Sequence, residues 1–524
     1  MISLQIVLIA LAASIAYAIL APVVRYWIDP KGLRQYPNYA LLSPFTDLRH
    51  VYLSSFGYRS RDLYLEHKRR NEPILRIGPN ALSFCDNQAI KDIYGHGTPC
   101  TKDLKEGLLA GSHRHLFDVV DKPEHARKRK LLSAAFAIKN LESWEYKVAY
   151  TTERLFKALD GFCTAPLGDF VDPASGDLNF DFNHWINLWT IEAINYIALS
   201  AEMDLLDTGK DEVTAERRDG TTYRAPYHYS QNMSAWFQAT LVWDYNLWPW
   251  TQWVMSTLPG RWRKVFEDGK PTEDVFYHLA AERLRKFQAG ERPDDFFSSL
   301  LEDKAGNPNN LQWGEMIAEV GAIINAGADT TAIAMTQHML LLYRHPEHLE
   351  TLRQEVETVL DRDDVISPYD KVKDLPFLRA CIDESLRLMP PTSAGLPRRT
   401  PKEGARILNK WIPGDTSVSM TIYAAHRDED IFPDPEAFKP ERWLDPANRR
   451  KMESSFIPFS AGSRSCLGRN ITYLEQVIVL ASIVHRYNFA LTSKDWDLQR
   501  SEAFNILCGP MPMKIWRRDP DHRE

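Results

Sequence analysis

Residues Phe459-Ser460-Ala461-Gly462-Ser463-Arg464-Ser465-Cys466-Leu467-Gly468 place one cysteine between two glycines and beside an arginine. An apolar-periodic stretch from Ile471 to Tyr487 follows directly and predicts a helix. A thiolate at that helix's N-terminus gains from free N–H groups and the macrodipole, which lower a thiol's pKa. Glycine lets the backbone turn sharply or approach a flat ligand closely. Arg464 can pair with an anion on such a ligand. The pattern suits a metal cofactor held by one sulfur. A buried structural cysteine after a Gly/Ser-rich turn is the plainer alternative.

The rest of the composition narrows the field. At 524 residues the chain exceeds a typical domain, although some folds reach this length as one unit. Apolar residues make up 44% and charged residues 25%, enough for a substantial core. A net charge of −7 argues against a nucleic-acid partner. Six cysteines (85, 100, 163, 381, 466 and 508) contain no Cys-x-x-Cys pair, which excludes a zinc site or disulfide framework and fits reduced thiols facing the cytosol.

Residues 1–24 carry no charge, and Ile2 to Val24 are overwhelmingly apolar. A bilayer-spanning helix needs about 20 such residues, whereas a cleaved signal has a basic start and an apolar run of roughly 7–15. The first basic residues, Arg25, Lys31 and Arg34, come after the segment, so the positive-inside rule puts the remainder in the cytosol, with Tyr26 and Trp27 at the interface. The expectation is a single-pass signal anchor over 1–28 in the endoplasmic reticulum membrane. A linker containing Pro30, Pro37 and Pro44 follows over 29–50, and a catalytic domain over 51–524.

Ile74–Ile77 and Ala81–Cys85, separated by Gly78-Pro79-Asn80, predict a hairpin. From Glu124 to about Leu360 the chain reads mainly helical. Ala201 to Pro226 reads as a polar surface loop, and a tryptophan-rich patch (Trp236, Trp243, Trp248, Trp250, Trp253, Trp262) follows. Pro397 to Met420 predicts short strands and turns. A closing helix and a strand are expected at the end, and the pattern shows no repeat or second domain.

Two interior patterns bear on chemistry. Glu319 to Leu342 predicts a long helix interrupted at Ala326-Gly327-Ala328-Asp329-Thr330-Thr331, where glycine and threonine cost helix stability. Thr330 can bond the Ala326 carbonyl and open the helix locally. The small side chains of Ala326 and Thr330 share a face, and Asp329 offers a carboxylate for proton relay. A small-residue packing site with a solvated Asp329 is the alternative. Glu384 and Arg387 share one helix face at i, i+3, commonly a surface pair of little value.

Taken together, these stretches resemble the cytochrome P450 family, in its membrane-anchored, fungal-type eukaryotic form. The carriers are the Phe-x-x-Gly-x-Arg-x-Cys-x-Gly loop, Ala326-Gly-Ala-Asp329-Thr330-Thr, Glu384-x-x-Arg387 and Pro440-Glu-Arg442-Trp. The resemblance implies a mainly α fold with a small β portion and an N-terminal transmembrane helix. It makes Cys466 the axial thiolate of a haem b iron, with Phe459, Gly468 and Ala326 beside the haem. Asp329 and Thr330 would deliver protons to dioxygen. Glu384, Arg387 and Arg442 would form a buried structural triad. His125, Arg129, Arg398 and Arg464 would meet the propionates; the family usually has Trp where this chain has His125, and Arg399 competes with Arg398.

The implied activity is insertion of one oxygen atom from O₂ into a lipophilic, aromatic or polyketide-like molecule of specialised metabolism. NADPH electrons would come through a separate NADPH-cytochrome reductase, with cytochrome b5 as a further donor. Oxidative phenol coupling, isomerisation or peroxide-driven oxidation is the alternative. Pocket walls would come from Lys102–Val120, the 230–262 region, the 319–330 helix face, Pro391–Leu396 and Ala503–Leu507. Arg127, Lys128, Lys130, Arg469 and Arg449-Arg450-Lys451 would form a basic patch that steers an acidic electron donor.

Overall fold

A computed structural model describes residues 2–105, 113–133, 135–168, 172–241, 248–303, 305–493 and 495–518. Ile2–Ile28 form one helix, α1. Many of its side chains, and with them much of the expected anchor, lie outside what is described. Among the described residues no helix is long and apolar enough to cross a membrane. The proline-containing stretch that follows packs onto the body, with Leu33 and Tyr36 buried. There Tyr39 N donates to Arg76 O at 2.9 Å and Arg76 N to Pro37 O at 2.8 Å.

The expected hairpin is present: Ile74–Gly78 (β1) pairs antiparallel with Ala81–Phe84 (β2). Thr101–Lys102 (β3), Arg398–Arg399 (β4) and Ser417–Met420 (β5) complete a sheet of order β1-β2-β5-β4-β3, in which only β5 and β2 run parallel. Their apolar residues (Ile74, Leu82, Phe84, Val418, Met420) bury one small core.

The main core is helical. Lys122–Ser133 (α2), Phe182–Leu199 (α3), Tyr227–Leu241 (α4), Trp313–Arg344 (α5), Pro376–Leu388 (α6) and Arg469–Arg486 (α7) carry the functional residues. Helices apolar on all sides belong in the interior, and α3, the second half of α5 and α7 are buried on nearly every face. A three-stranded sheet (Phe180–Asp181, Tyr487–Leu491, Pro512–Arg517) closes the side of this core.

Two elements differ from the sequence expectation. The interruption of the long helix is absent, and α5 runs unbroken through Ala326–Thr331. Glycine and threonine cost about 1 kcal/mol or less each in a helix, whereas each buried Ile, Met or Leu contributes about 1.5–3 kcal/mol. Ile324, Ile333, Met335, Met339 and Leu340 are all buried, so packing decides. Gly327 serves that packing: a Cβ there would lie 2.6 Å from Ile194 Cδ1, so glycine lets α5 close on α3. The expected loop at 201–226 instead contains a hairpin, Val213–Glu216 with Thr222–Ala225. Its turn holds Asp219-Gly220, a hairpin signal, and Val213, Ala215 and Ala225 are buried beneath it.

The tryptophan patch divides. Trp236 stacks on Trp262 with centroids 5.1 Å apart, while Trp250 and Trp253 are exposed. Trp243 lies outside the described residues.

Candidate active site

The cysteine loop is fixed by its own backbone. Cys466 N donates to Phe459 O at 2.9 Å, and Ser465 N to Gly462 O at 3.1 Å. Gly462 has φ +69°, and a Cβ on it would meet Tyr94 O at 2.0 Å, so no other residue fits. Gly468, at φ −73°, caps α7 without needing glycine's freedom. Cys466 keeps an accessible surface, although protein crowds around it. That enclosure reverses the expected shift. Burial pushes the thiol pKa up, only partly offset by the N–H groups of Gly468 and Arg469 and by the Arg129 charge. A bound metal cation would supply the missing compensation.

Against α7 packs α5. In mid-course α5 exposes Asn325 and Ala326, although from Ala328 onward it is almost wholly buried. An interior helix laid bare at one point borders a cleft. There Thr330 Oγ1 donates to Ala326 O at 2.8 Å. Asp329 is buried and faces α4, with its Oδ1 3.8 Å from His228 Nδ1. Burial raises its carboxyl pKa, and His228 and Gln231 draw it partly back.

A cationic group converges on α2. His125 is buried, and its pKa is pushed down to about 4, first by burial and then by Arg464, Arg129, Lys102 and Arg398. It is therefore neutral at pH 7 and able to donate one N–H. Arg129 donates to Ser465 O at 2.8 Å, and Arg464 to Val119 O and, at 3.0 Å, to Val120 O. Arg398 is buried opposite Lys102 in the β3–β4 register. Arg399 instead turns to Asp103 at 3.5 Å, which separates the two competing arginines.

Glu384, Arg387 and Arg442 do meet. Arg387 Nε and Nη2 each donate to Glu384 at 2.9 Å, and Arg442 Nε donates to Glu384 Oε1 at 3.1 Å. Lys439 N and Trp443 Nε1, both at 2.9 Å, complete the carboxylate's partners.

A family model for cytochrome P450 matches residues 75–516. The chain belongs to the cytochrome P450 family. Benzoate 4-monooxygenase bphA of Aspergillus niger is 30% identical over 526 residues, covering 96% of this chain and 98% of the relative. The cytochrome P450 monooxygenase cicH of Emericella nidulans is 30% identical, covering 84% of this chain and 86% of the relative. Tryprostatin B 6-hydroxylase of Neosartorya fischeri is 25% identical, covering 85% of this chain and 76% of the relative. The crystal structure of the cytochrome P450DA heme domain superposes with a TM-score of 0.72 at 17% identity, covering 91% of this chain and 96% of that one.

Membership in a monooxygenase family implies a haem-thiolate iron, a redox partner and a lipophilic substrate for this P450. The residues present fit haem. One sulfur at a helix N-terminus, a bared helix segment and a buried cationic group match its iron, its flat ring and its two carboxylates.

Sequence reading missed His426 and gave Lys102 and Lys128 other places. Lys102 is buried within the cationic group, and only its strand register with Arg398 reveals it. His426 joins the triad to the cysteine loop: Nδ1 donates to Arg387 O at 2.9 Å, and Nε2 accepts from Ile457 N at 2.9 Å. Lys128, assigned to a surface patch, is instead buried between Glu319 (2.9 Å) and Glu315 (2.5 Å). Arg127 is tied to Glu124 and Glu315, and Arg449 to the buried Asp383 at 2.8 Å, so the basic patch loses three members.

Glu475 on α7 accepts from Thr331 Oγ1 at 3.2 Å, and burial pushes its carboxyl up to about 8 from an ordinary 4.5. Its contribution to stability is complete below pH 4.5 and lost as pH rises toward 8, at up to ~1.4 kcal/mol per unit. Glu475→Gln therefore melts higher than wild type at pH 8, with little difference near pH 5. An equal gain at both pH values in thermal unfolding would refute the assignment.

Proposed function

We propose that this P450 inserts one oxygen atom from O₂ into a lipophilic aromatic or polyketide-like molecule, using NADPH electrons from a separate flavoprotein reductase. The observation that carries the reading is the acid–alcohol pair Asp329-Thr330 beside the bared Asn325-Ala326 segment, on the helix packed against α7. Bound at Cys466, haem supplies electron acceptance and oxygen activation. The chain's residues do the rest. Gly468 and Arg469 N–H groups stabilise the Cys466 thiolate. Arg129, Arg398, Arg464 and neutral His125 would receive the propionates. Phe459 packs beside the loop against Tyr473, centroids 5.3 Å apart. Thr330 holds a proton at Oγ1, and Asp329 stores one on its carboxylate.

An aromatic substrate is favoured by the relative named for benzoate, an aromatic acid. Reconstitution with reductase and NADPH tests the reading, with candidate substrates chosen by Soret shift. Substrate should accelerate NADPH oxidation and yield oxygenated product. In Thr330→Ala, peroxide should replace about 90% of the product if the hydroxyl conveys the proton, in line with the ~10²–10⁴ that a positioned proton-transfer group contributes. Haem-loaded protein that oxidises no NADPH with any substrate would overturn the reading. Product formed without NADPH would point to the isomerising or peroxide-driven alternative.

The helix α1 is proposed as an anchor in the endoplasmic reticulum membrane. In support, residues 1–24 are uncharged, Arg25 follows, and Trp27 and Ile28 are exposed. Removing residues 1–28 should move the protein from the pelleted membranes to the supernatant; a protein still fully pelleted would count against the anchor.

A further inference from the structure

The first turn of α4 is held by Asp211, whose carboxylate accepts from His228 N at 2.8 Å and from Tyr229 N at 2.9 Å. A carboxylate at a helix N-terminus is favoured by the free N–H groups there. So anchored, His228 points its Nδ1 at Asp329 Oδ1, 3.8 Å away. One turn on, Asn232 Nδ2 stands 3.0 Å from His228 Nε2. An amide nitrogen only donates, so Nε2 accepts, and the neutral ring carries its hydrogen on Nδ1, the atom facing Asp329.

Around this pair lie several further buried polar atoms. His228 Nδ1, Asp329 Oδ1 and Tyr227 Oη have no hydrogen-bond partner. Gln231 acts as a hydrogen-bonding partner of Asp329 that draws its carboxyl pKa down, and the Asp329 charge adds to the burial that raises Tyr227. Unmatched groups at this depth cost about 1–3 kcal/mol each, so a purely structural cluster would be expected to close its bonds. The 3.8 Å gap is instead a distance that a small ring rotation closes. The His228 side chain is 28% exposed and that of Asp329 10%, so the ring is the joint between solvent and the buried acid.

We propose that His228 positions Asp329 and supplies it with protons from the α4 side. This rests on the role given above to Asp329. A solvent proton adds at Nε2 as the Asn232 amide swings away, and the Nδ1 proton passes to Asp329 Oδ1. The ring, neutral again, exchanges with solvent back to its Nδ1–H form. One proton enters, one leaves, and no electron moves.

The test uses the full-length haem-loaded protein with His228→Gln, Asp329→Asn and the double variant; an unchanged reduced carbon-monoxide band shows intact loading. In ¹⁵N-histidine spectra, the signal missing from His228→Gln should report an Nδ1–H ring in wild type and should move in Asp329→Asn. An Nε2–H ring, or no response to Asp329→Asn, overturns the proposal. With reductase and NADPH, His228→Gln should yield roughly tenfold less product per NADPH, below the ~10²–10⁴ ceiling for a proton-transfer group because solvent offers a bypass. The double variant should be no worse than Asp329→Asn alone. Unchanged coupling, or additive losses, would show that His228 only packs. If no variant oxidises NADPH, the monooxygenase reading fails, and the ¹⁵N result alone decides whether His228 serves Asp329.

Discussion

Cys466→Ser gives a chain that folds but lacks the reduced carbon-monoxide Soret band of thiolate ligation, and its NADPH-dependent product formation falls to background. Among the described residues the other five cysteines are distributed through the structure. The thiols of Cys85 and Cys508 are pushed up to about 12 by burial, and Cys381 is raised as well, also by burial. None of these three shows, among the causes of its shift, the pair of helix N–H groups that faces Cys466. Serine keeps the size and the loop bonds, since Cys466 N to Phe459 O and Ser465 N to Gly462 O are backbone contacts. The protein without haem should therefore unfold within about 1 kcal/mol of wild type, as usual for a substitution that leaves no cavity and breaks no network. That separation of folding from ligation makes the variant decisive. Retention of the thiolate band would transfer the metal to another residue.

How much of this was legible beforehand depends on how far each feature reaches along the chain. The cysteine loop and Glu384-x-x-Arg387 are local patterns, and their residues sit together as the spacing implies. Thr330 to Ala326 is likewise an i, i−4 relation that sequence alone proposes. The errors arise where distant segments decide. Lys128 looked like one more surface lysine, because its partners Glu315 and Glu319 are 187 and 191 residues away. His426 carried no motif, and only the fold puts one ring nitrogen on Arg387 and the other on Ile457. The sign of the Cys466 shift went wrong for the same reason. The helix terminus is readable from sequence, whereas the enclosing protein that outweighs it is not. The hairpin at 213–225 is a different case, since Asp219-Gly220 was present and the surrounding charges masked it.

Arg387→Lys is the second large effect. The Arg387 guanidinium is fully buried. It donates twice to Glu384 and once each to the carbonyls of His426 (3.0 Å), Pro435 (2.7 Å) and Ala437 (3.1 Å). A lysine keeps the charge but has three donors on a point-like group in place of a planar fork. Breaking a buried ion pair costs about 3–5 kcal/mol, a large share of the 5–15 kcal/mol by which a typical domain is stable. Arg442 is less committed, for its remaining partners, the Pro433 and Asp434 carbonyls, lie in an exposed setting. Arg442→Lys should therefore cost less, nearer the ~1–3 kcal/mol of one unsatisfied acceptor. The loss should also have an order. Arg387 holds His426 through its own carbonyl, and His426 holds Ile457 at the entrance to the cysteine loop, so haem retention should fail at lower denaturant than the helical signal. Parallel urea titrations read by Soret absorbance and far-ultraviolet dichroism separate the two. Coincident transitions at the wild-type midpoint would mean that Glu384, Arg387 and Arg442 are merely packed together, with no part in holding the loop that carries Cys466.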